Sequence, residues 1–86
     1  MSLKVIQAIS DRTRFKLLAN ISRGEICACE LVDLAGTTQP AVSQHLKILF
    51  QAGLVNMRKD GVKRLYSVSE FGSKVLGDIS GWEHEN

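Results

Sequence analysis

A mainly helical α+β fold is predicted by three features of this 86-residue sequence. From Gly36 to Leu54 the stretch GTTQPAVSQHLKILFQAGL reads as a helix with both ends written in, and another helical stretch stops just before it at Gly36. Two strand-like runs then flank Asp60-Gly61, a dipeptide favoured in two-residue hairpin turns because both residues tolerate positive φ. Apolar residues recur at helical spacing before this pair of helices and after the hairpin. Together these features describe a winged helix-turn-helix with a C-terminal helix, in a single domain over residues 1–86. At 44% hydrophobic and 23% charged, so short a chain closes a core with little to spare, and extra burial in a dimer is expected.

Taken in order, Leu3 to Ile9 is a short apolar helix with Leu3, Ile6 and Ile9 at three-residue steps, too small to stand alone. Asp11 caps a second helix over about Arg12 to Ser22, whose Leu17, Leu18 and Ile21 form an inward stripe and which Arg23-Gly24 ends. Arg12, Arg14 and Lys16 on it read as solvated cations rather than phosphate contacts. A third helix begins near Cys27 or Ala28, turns Leu31, Leu34 and Ala35 inward, and stops at Gly36.

The fourth helix runs from about Gln39 to Ala52. Thr38 is its N-cap, Pro40 falls in the first turn where a missing N–H costs nothing, and Gly53 supplies the left-handed residue at its end. Leu54 can then fold back on Leu49. Val42, Leu46, Leu49 and Phe50 make the inward stripe. The opposite face carries Gln39, Ser43, Gln44 and Lys47, with Thr37 and Thr38 in the turn before it. Amides, hydroxyls and one long cation are side chains suited to base edges and phosphates in a major groove. An ordinary solvated helix face has a similar composition; the short turn to the preceding helix is what favours DNA reading.

Val55 to Lys59 and Val62 to Val68 form the hairpin, with Arg58, Lys59, Lys63 and Arg64 crowding its tip. Edge strands are often guarded by charge, but four cations around Asp60 exceed that need and suit an anion such as the DNA backbone. The net charge of +2 hides this asymmetry: from Gly36 to Val68 the five cations Lys47, Arg58, Lys59, Lys63 and Arg64 face Asp60 alone, whereas Lys74 in the tail faces Glu70, Asp78, Glu83 and Glu85. Ser69 caps a last helix through about Ile79 with Phe71, Val75, Leu76 and Ile79 as its apolar set. Gly72, Gly77 and Gly81 weaken it, so packing must hold it, most simply against its own copy in a homodimer together with the first helix. Trp82 is expected to dock the tail.

No run approaches the roughly 20 apolar residues of a membrane span, and Met1 to Ile9 lacks the pattern of a signal peptide, so a cytoplasmic protein with no membrane partner is expected. In that compartment Cys27 and Cys29 are expected as reduced thiols.

The helix pair with PAVSQHLKIL, then AGLV, the basic hairpin with its DG tip and RLYSV resemble the winged helix of the ArsR/SmtB transcriptional regulators over nearly the whole chain. The most telling segment, Glu25-Ile26-Cys27-Ala28-Cys29-Glu30-Leu31, is similar to that family's metal-binding box, Glu-Leu-Cys-Val-Cys-Asp-Leu. The resemblance implies a homodimeric repressor that needs no cofactor to bind double-stranded DNA at an imperfect palindromic operator, and leaves it when a metal or trivalent metalloid binds. It carries Cys27 and Cys29 over as metal ligands and Gln39 to Ala52 as the recognition helix. Three departures bear on the ligand. Val32 stands where some arsenic sensors have a third cysteine, no cysteine or histidine precedes Cys27, and Asp78, Glu83, His84 and Glu85 lack the spacing of the family's C-terminal site.

Two thiols at a helix start can converge on one soft ion, and the positive end of the helix favours the thiolates that ligate it. Arsenite or antimonite can take two thiolates plus a hydroxide or solvent ligand, whereas a soft divalent metal wants three or four protein donors. Packed cysteines with no ligand and a thiol redox switch remain the other readings of the pair. His45 reads as packed or phosphate-facing, and His84 as solvated. An enzyme is disfavoured because neither a C-x-x-C redox motif nor a phosphate cradle is present.

Overall fold

Side-chain caps set the helix boundaries in the computed structural model, which describes residues 2–84, with side chains through residue 79. Ser2 caps α1 (Leu3–Ser10), its hydroxyl accepting from the Val5 N–H at 3.3 Å. The Asp11 carboxylate accepts from the Arg14 N–H at 2.9 Å to start α2 (Arg12–Ile21). Cys27 caps α3 (Ala28–Ala35), which Gly36 ends at φ 67°. Thr38 caps α4 (Gln39–Gln51), and the far end of α4 closes as the sequence pattern predicts. Gly53 at φ 77° donates to the Phe50 carbonyl and Leu54 to the Leu49 carbonyl, each at 3.0 Å, the paired bonds of a Schellman ending.

Three antiparallel strands follow the order β1-β3-β2, with β1 Ile26–Cys27, β2 Val55–Asp60 and β3 Lys63–Val68. The hairpin turn sits one residue later than Asp60-Gly61 suggests. Asp60 pairs with Lys63, so Gly61-Val62 is the two-residue loop, with Gly61 at φ 62° and no positive φ at Val62. Glycine at the first central position alone is the type II′ pattern. The strand β1 has no signal in the sequence. Its two residues become a strand only because Ile26 pairs with Tyr66 and Cys27 with Leu65.

The core gathers Val5 and Ala8 from α1, Leu17, Leu18 and Ile21 from α2, Leu31 from α3, and Val42, Leu46 and Leu49 from α4. Leu54, Val55, Tyr66 and Val75 close it. Of the residues expected to face inward, Leu34 and Phe50 face out. On α1 the buried pair is Val5 and Ala8, while Leu3 and Ile6 are 69% and 47% exposed. The helix α5 (Glu70–His84) runs past the expected Ile79, and Ser69 starts it, its hydroxyl accepting from the Gly72 N–H at 2.8 Å. Val75 on α5 is buried, Leu76 and Ile79 are half-buried against the core, and Phe71 is exposed. The side chains of Trp82, Glu83 and His84, and all of Glu85, lie outside the described residues. No helix among the described residues is long and apolar enough to cross a membrane.

Candidate functional site

Because α3 ends at Gly36 and α4 begins after Thr38, the two helices pack against each other with one face of α4 left in solvent. Gln39, Ser43, Gln44 and Lys47 are exposed on that face, and Thr37 and Thr38 are exposed in the turn. Thr38 also holds the backbone, its hydroxyl accepting from the Ala41 N–H at 3.3 Å. His45, one position further round α4, is half-buried and does not join the outer face. Its Nδ1 accepts from Arg14 Nη1 at 3.2 Å. The same guanidinium donates to the Ala8 and Gln7 carbonyls at the end of α1, at 2.6 and 3.0 Å. Arg14 is therefore a tie between α1, α2 and the recognition-helix candidate rather than a solvated cation. Contacts across 31 residues of sequence leave no local pattern by which to find them.

At the wing, Lys59, Lys63 and Arg64 are exposed, and the register sets Lys59 directly opposite Arg64. Like charges facing each other across strands destabilise the pairing unless an anion intervenes. Arg58 is different. Its guanidinium grips Glu25 with two bonds, Nε to Oε2 at 2.8 Å and Nη2 to Oε1 at 2.7 Å. That hydrogen bond holds the Glu25 carboxyl below its ordinary range and raises Arg58 above its own. Where the sequence places Arg58 with the free cations of the tip, the structure gives it a carboxylate partner of its own.

Cys27 is buried and Cys29 exposed, with the Cys29 N–H donating to Cys27 Sγ at 3.3 Å. The two sulfurs meet, and the structure pairs them as a disulfide where reduced thiols are expected from the sequence. An extended Cys27 followed by the first turn of α3 brings the Cα atoms to 5.3 Å, within the range over which two cysteine side chains can reach one point. Around them opens a cleft of about 600 Å³. Val32 and Val42 form its apolar wall, Gln39 and Ser43 bring in the start of α4, and Val62, Lys63 and Arg64 bring in the wing tip. A neighbouring cleft of about 510 Å³ continues between α4 and the sheet past Gln44 and Lys47 to Phe50 and Met57, with Ala28, Ser43 and Arg64 shared between the two. The sequence-predicted thiols, outer helix face and wing tip thus line one trough. Phe50 and Met57, read from the sequence as inward-stripe and strand residues, form its far end.

Among the described residues, the arrangement of five helices, a three-stranded sheet and a hairpin beside α4 defines a winged helix-turn-helix domain. Residues 11–57 match the family described as bacterial regulatory protein, arsR family. The chain belongs to that family of DNA-binding transcriptional regulators. It is 37% identical over 75 residues to an arsenical resistance operon repressor of Staphylococcus aureus, covering 87% of this chain and 69% of that one. It is 46% identical over 67 residues to a probable mercury resistance operon repressor of Streptomyces lividans, covering 78% of this chain and 54%, about half, of that relative. Among solved structures, NolR from Sinorhizobium fredii superposes with a TM-score of 0.81 at 30% identity, over 91% of this chain and 79% of that one.

Proposed function

We propose that this chain represses transcription as a homodimer on an imperfect palindromic operator in double-stranded DNA, and that arsenite or antimonite bonding to Cys27 and Cys29 releases it. The observation that carries the reading is the shared cleft: the two cysteines, the start of α4 and the wing tip line one cavity of about 600 Å³. A ligand captured at the thiols sits at the joint between the two elements suited to DNA. The exposed Leu3 and Ile6 on α1 and Phe71 on α5 support dimerisation through those helices.

From the disulfide of the structure a thiol reductant must first supply the two cysteine thiols, and the step that follows involves no further change of oxidation state. Arsenous acid exchanges two of its hydroxyls for the two thiolates, the departing hydroxyls leave as two waters with the thiol protons, and arsenic keeps its third hydroxyl. Two converging sulfurs fit that ligand. Among the described residues the cleft holds no third sulfur or imidazole for a soft divalent metal, and Val32 stands where a third thiol would. Capture strains the start of α3, which packs on α4 and sets the spacing of the two recognition helices across the dimer. A coupling of about 1 to 3 kcal/mol, roughly five- to 150-fold in DNA affinity, suffices for derepression.

A second reading, a thiol redox switch, is favoured by one observation, the pairing of Cys27 with Cys29. Fluorescence anisotropy separates the two. Reduced protein is titrated onto an imperfect palindrome from upstream of its own coding region, then exposed to arsenite, cadmium, zinc or peroxide. Release by arsenite supports the metalloid reading; release by peroxide alone makes the thiols a redox switch; tight binding with no release leaves a repressor that senses neither.

A further inference from the structure

Cys27, Leu65 and Arg58 lie in one row across the sheet, because β3 pairs Leu65 with Cys27 on one side and with Arg58 on the other. Glu25, two residues before Cys27, reaches back over that row to Arg58 and is held by both bonds of a bidentate ion pair. The pair ties the residue immediately before β1 to β2, the other outer strand, without involving β3. That matters because β1 is only two residues long, so its ladder with β3 is a weak mechanical link. Among the described residues this is the one salt bridge, and it connects the segment carrying the thiols to the wing.

We infer that Glu25 and Arg58 are positioning residues that transmit the state of the Cys27/Cys29 site to the wing, so that Arg58 acts through Glu25 and not as a phosphate contact. The inference rests on the proposed ligand response. Capture at the thiols moves Cys27, the residue that both ends β1 and caps α3; Glu25 moves with it, and the clamp carries that shift to β2 and the hairpin tip with Lys59 and Lys63. Geometry supports this in a second way. Arg58 lines neither cleft of the trough beside α4, whereas Arg64 lines both and Lys63 lines one.

The test uses the full chain and two readouts, operator affinity by anisotropy with and without arsenite, and arsenite binding itself by the ultraviolet absorbance of the arsenic–thiolate bonds. An exposed ion pair is a weak link, so the effect is a few-fold and not all-or-none. In Glu25→Gln and in Arg58→Gln, arsenite should bind as in the wild type, while the ratio of operator Kd with and without arsenite shrinks by about two- to fivefold. The decisive variant is the charge swap, Glu25→Arg with Arg58→Glu. A clamp works in either polarity, so the swap should restore the ratio and keep DNA binding; a phosphate contact at 58 cannot survive a carboxylate, and its loss would also flatten the salt dependence by about one unit of slope. Failure of the swap to recover coupling, or a wild-type ratio in both single variants, overturns the inference. A wild type that binds operator but ignores arsenite would overturn the proposed sensing instead, and would show it before any variant is made.

Discussion

The carbonyl oxygen of Leu54 lies directly beneath Gly72, so close that a Cβ on Gly72 would collide with it. The same carbonyl accepts the Ser69 N–H at 3.0 Å, and the Ser69 hydroxyl donates to the Gly53 carbonyl at 2.6 Å. The end of α4 and the start of α5 are therefore welded through backbone atoms. A glycine that weakens α5 by local propensity is what allows this approach. Gly72→Ala should destabilise the fold by about 1 to 3 kcal/mol, because backbone cannot move aside as a side-chain tip can. Gly77, on the same helix but with open space where its Cβ would be, should respond in the opposite sense, gaining up to about 1 kcal/mol as alanine. Urea unfolding of both variants at one protein concentration reads the two signs. Equal effects would mean that helix propensity alone decides.

Asp11 supplies a pH dependence whose sign is fixed. Its carboxyl is held below the ordinary range, first by the Arg14 backbone N–H and further by the nearby His45 and Arg14 charges. A folded pKa below the unfolded one means stability present above about pH 4 and lost as pH falls through the folded value. Glu25, lowered by its bond to Arg58, acts in the same direction. Asp11→Asn keeps an N-cap acceptor but cannot titrate. Its urea midpoint near pH 7 should stay close to the wild type, and its decline between about pH 4 and 2 should be shallower. An unchanged acid limb would remove Asp11 from the account.

What was legible in the sequence was what short stretches determine by themselves. Thr38, Pro40 and Gly53 bound α4, and Asp11 and Gly36 bound its neighbours, because caps and left-handed glycines act within a turn of their own position. The outer face of α4 and the C-x-C pair could be read for the same reason. What needed a partner could not be read. Nothing local marks Ile26-Cys27 as a strand, and nothing local says that Val5 and Ala8 rather than Leu3 and Ile6 meet the core, since α1 is apolar on both sides. The turn at Gly61-Val62 is chosen by pairing register over dipeptide preference. Glu25 and Arg58, and Arg14 and His45, meet over separations of 33 and 31 residues.

On DNA, side chains of two kinds should fail in two ways. Gln44 and Ser43 are exposed on the outer face of α4, where Ala substitutions should cost about 1 to 3 kcal/mol on the operator and relax base preference. Lys63→Ala and Lys59→Ala at the wing should weaken all sequences alike, each lowering the slope of log K against log salt by about one. The facing of Lys59 and Arg64 adds a corollary. Relief of their repulsion should leave Lys59→Ala at least as stable as the wild type while it binds DNA less well. Anisotropy on operator and scrambled duplexes over a salt series reads all of this; a wing variant with an unaltered salt slope would mean that the hairpin does not hold phosphates.

The thiols allow the sharpest test because the structure gives them different settings. Cys27 is a buried N-cap whose sulfur accepts the Cys29 N–H, and serine is a good N-cap of nearly the same volume, so Cys27→Ser should keep the start of α3. Cys29 is exposed, and Cys29→Ser changes little else. Folding and operator affinity should therefore survive both substitutions. The arsenite response should not survive either, since one remaining sulfur loses the chelate gain that makes two individually weak bonds hold. Val32 lines the same cleft as both cysteines, so Val32→Cys offers arsenic a third sulfur in place of hydroxide and should lower the arsenite concentration that releases DNA. Anisotropy on the operator at fixed protein concentration, titrated with arsenite, ranks the four proteins. Release from either serine variant at the wild-type arsenite concentration would place the ligand elsewhere and return the cysteines to packing. Release of the wild type by peroxide but not by arsenite would make the same two residues a redox switch, and Val32→Cys would then have no reason to respond to arsenite at all.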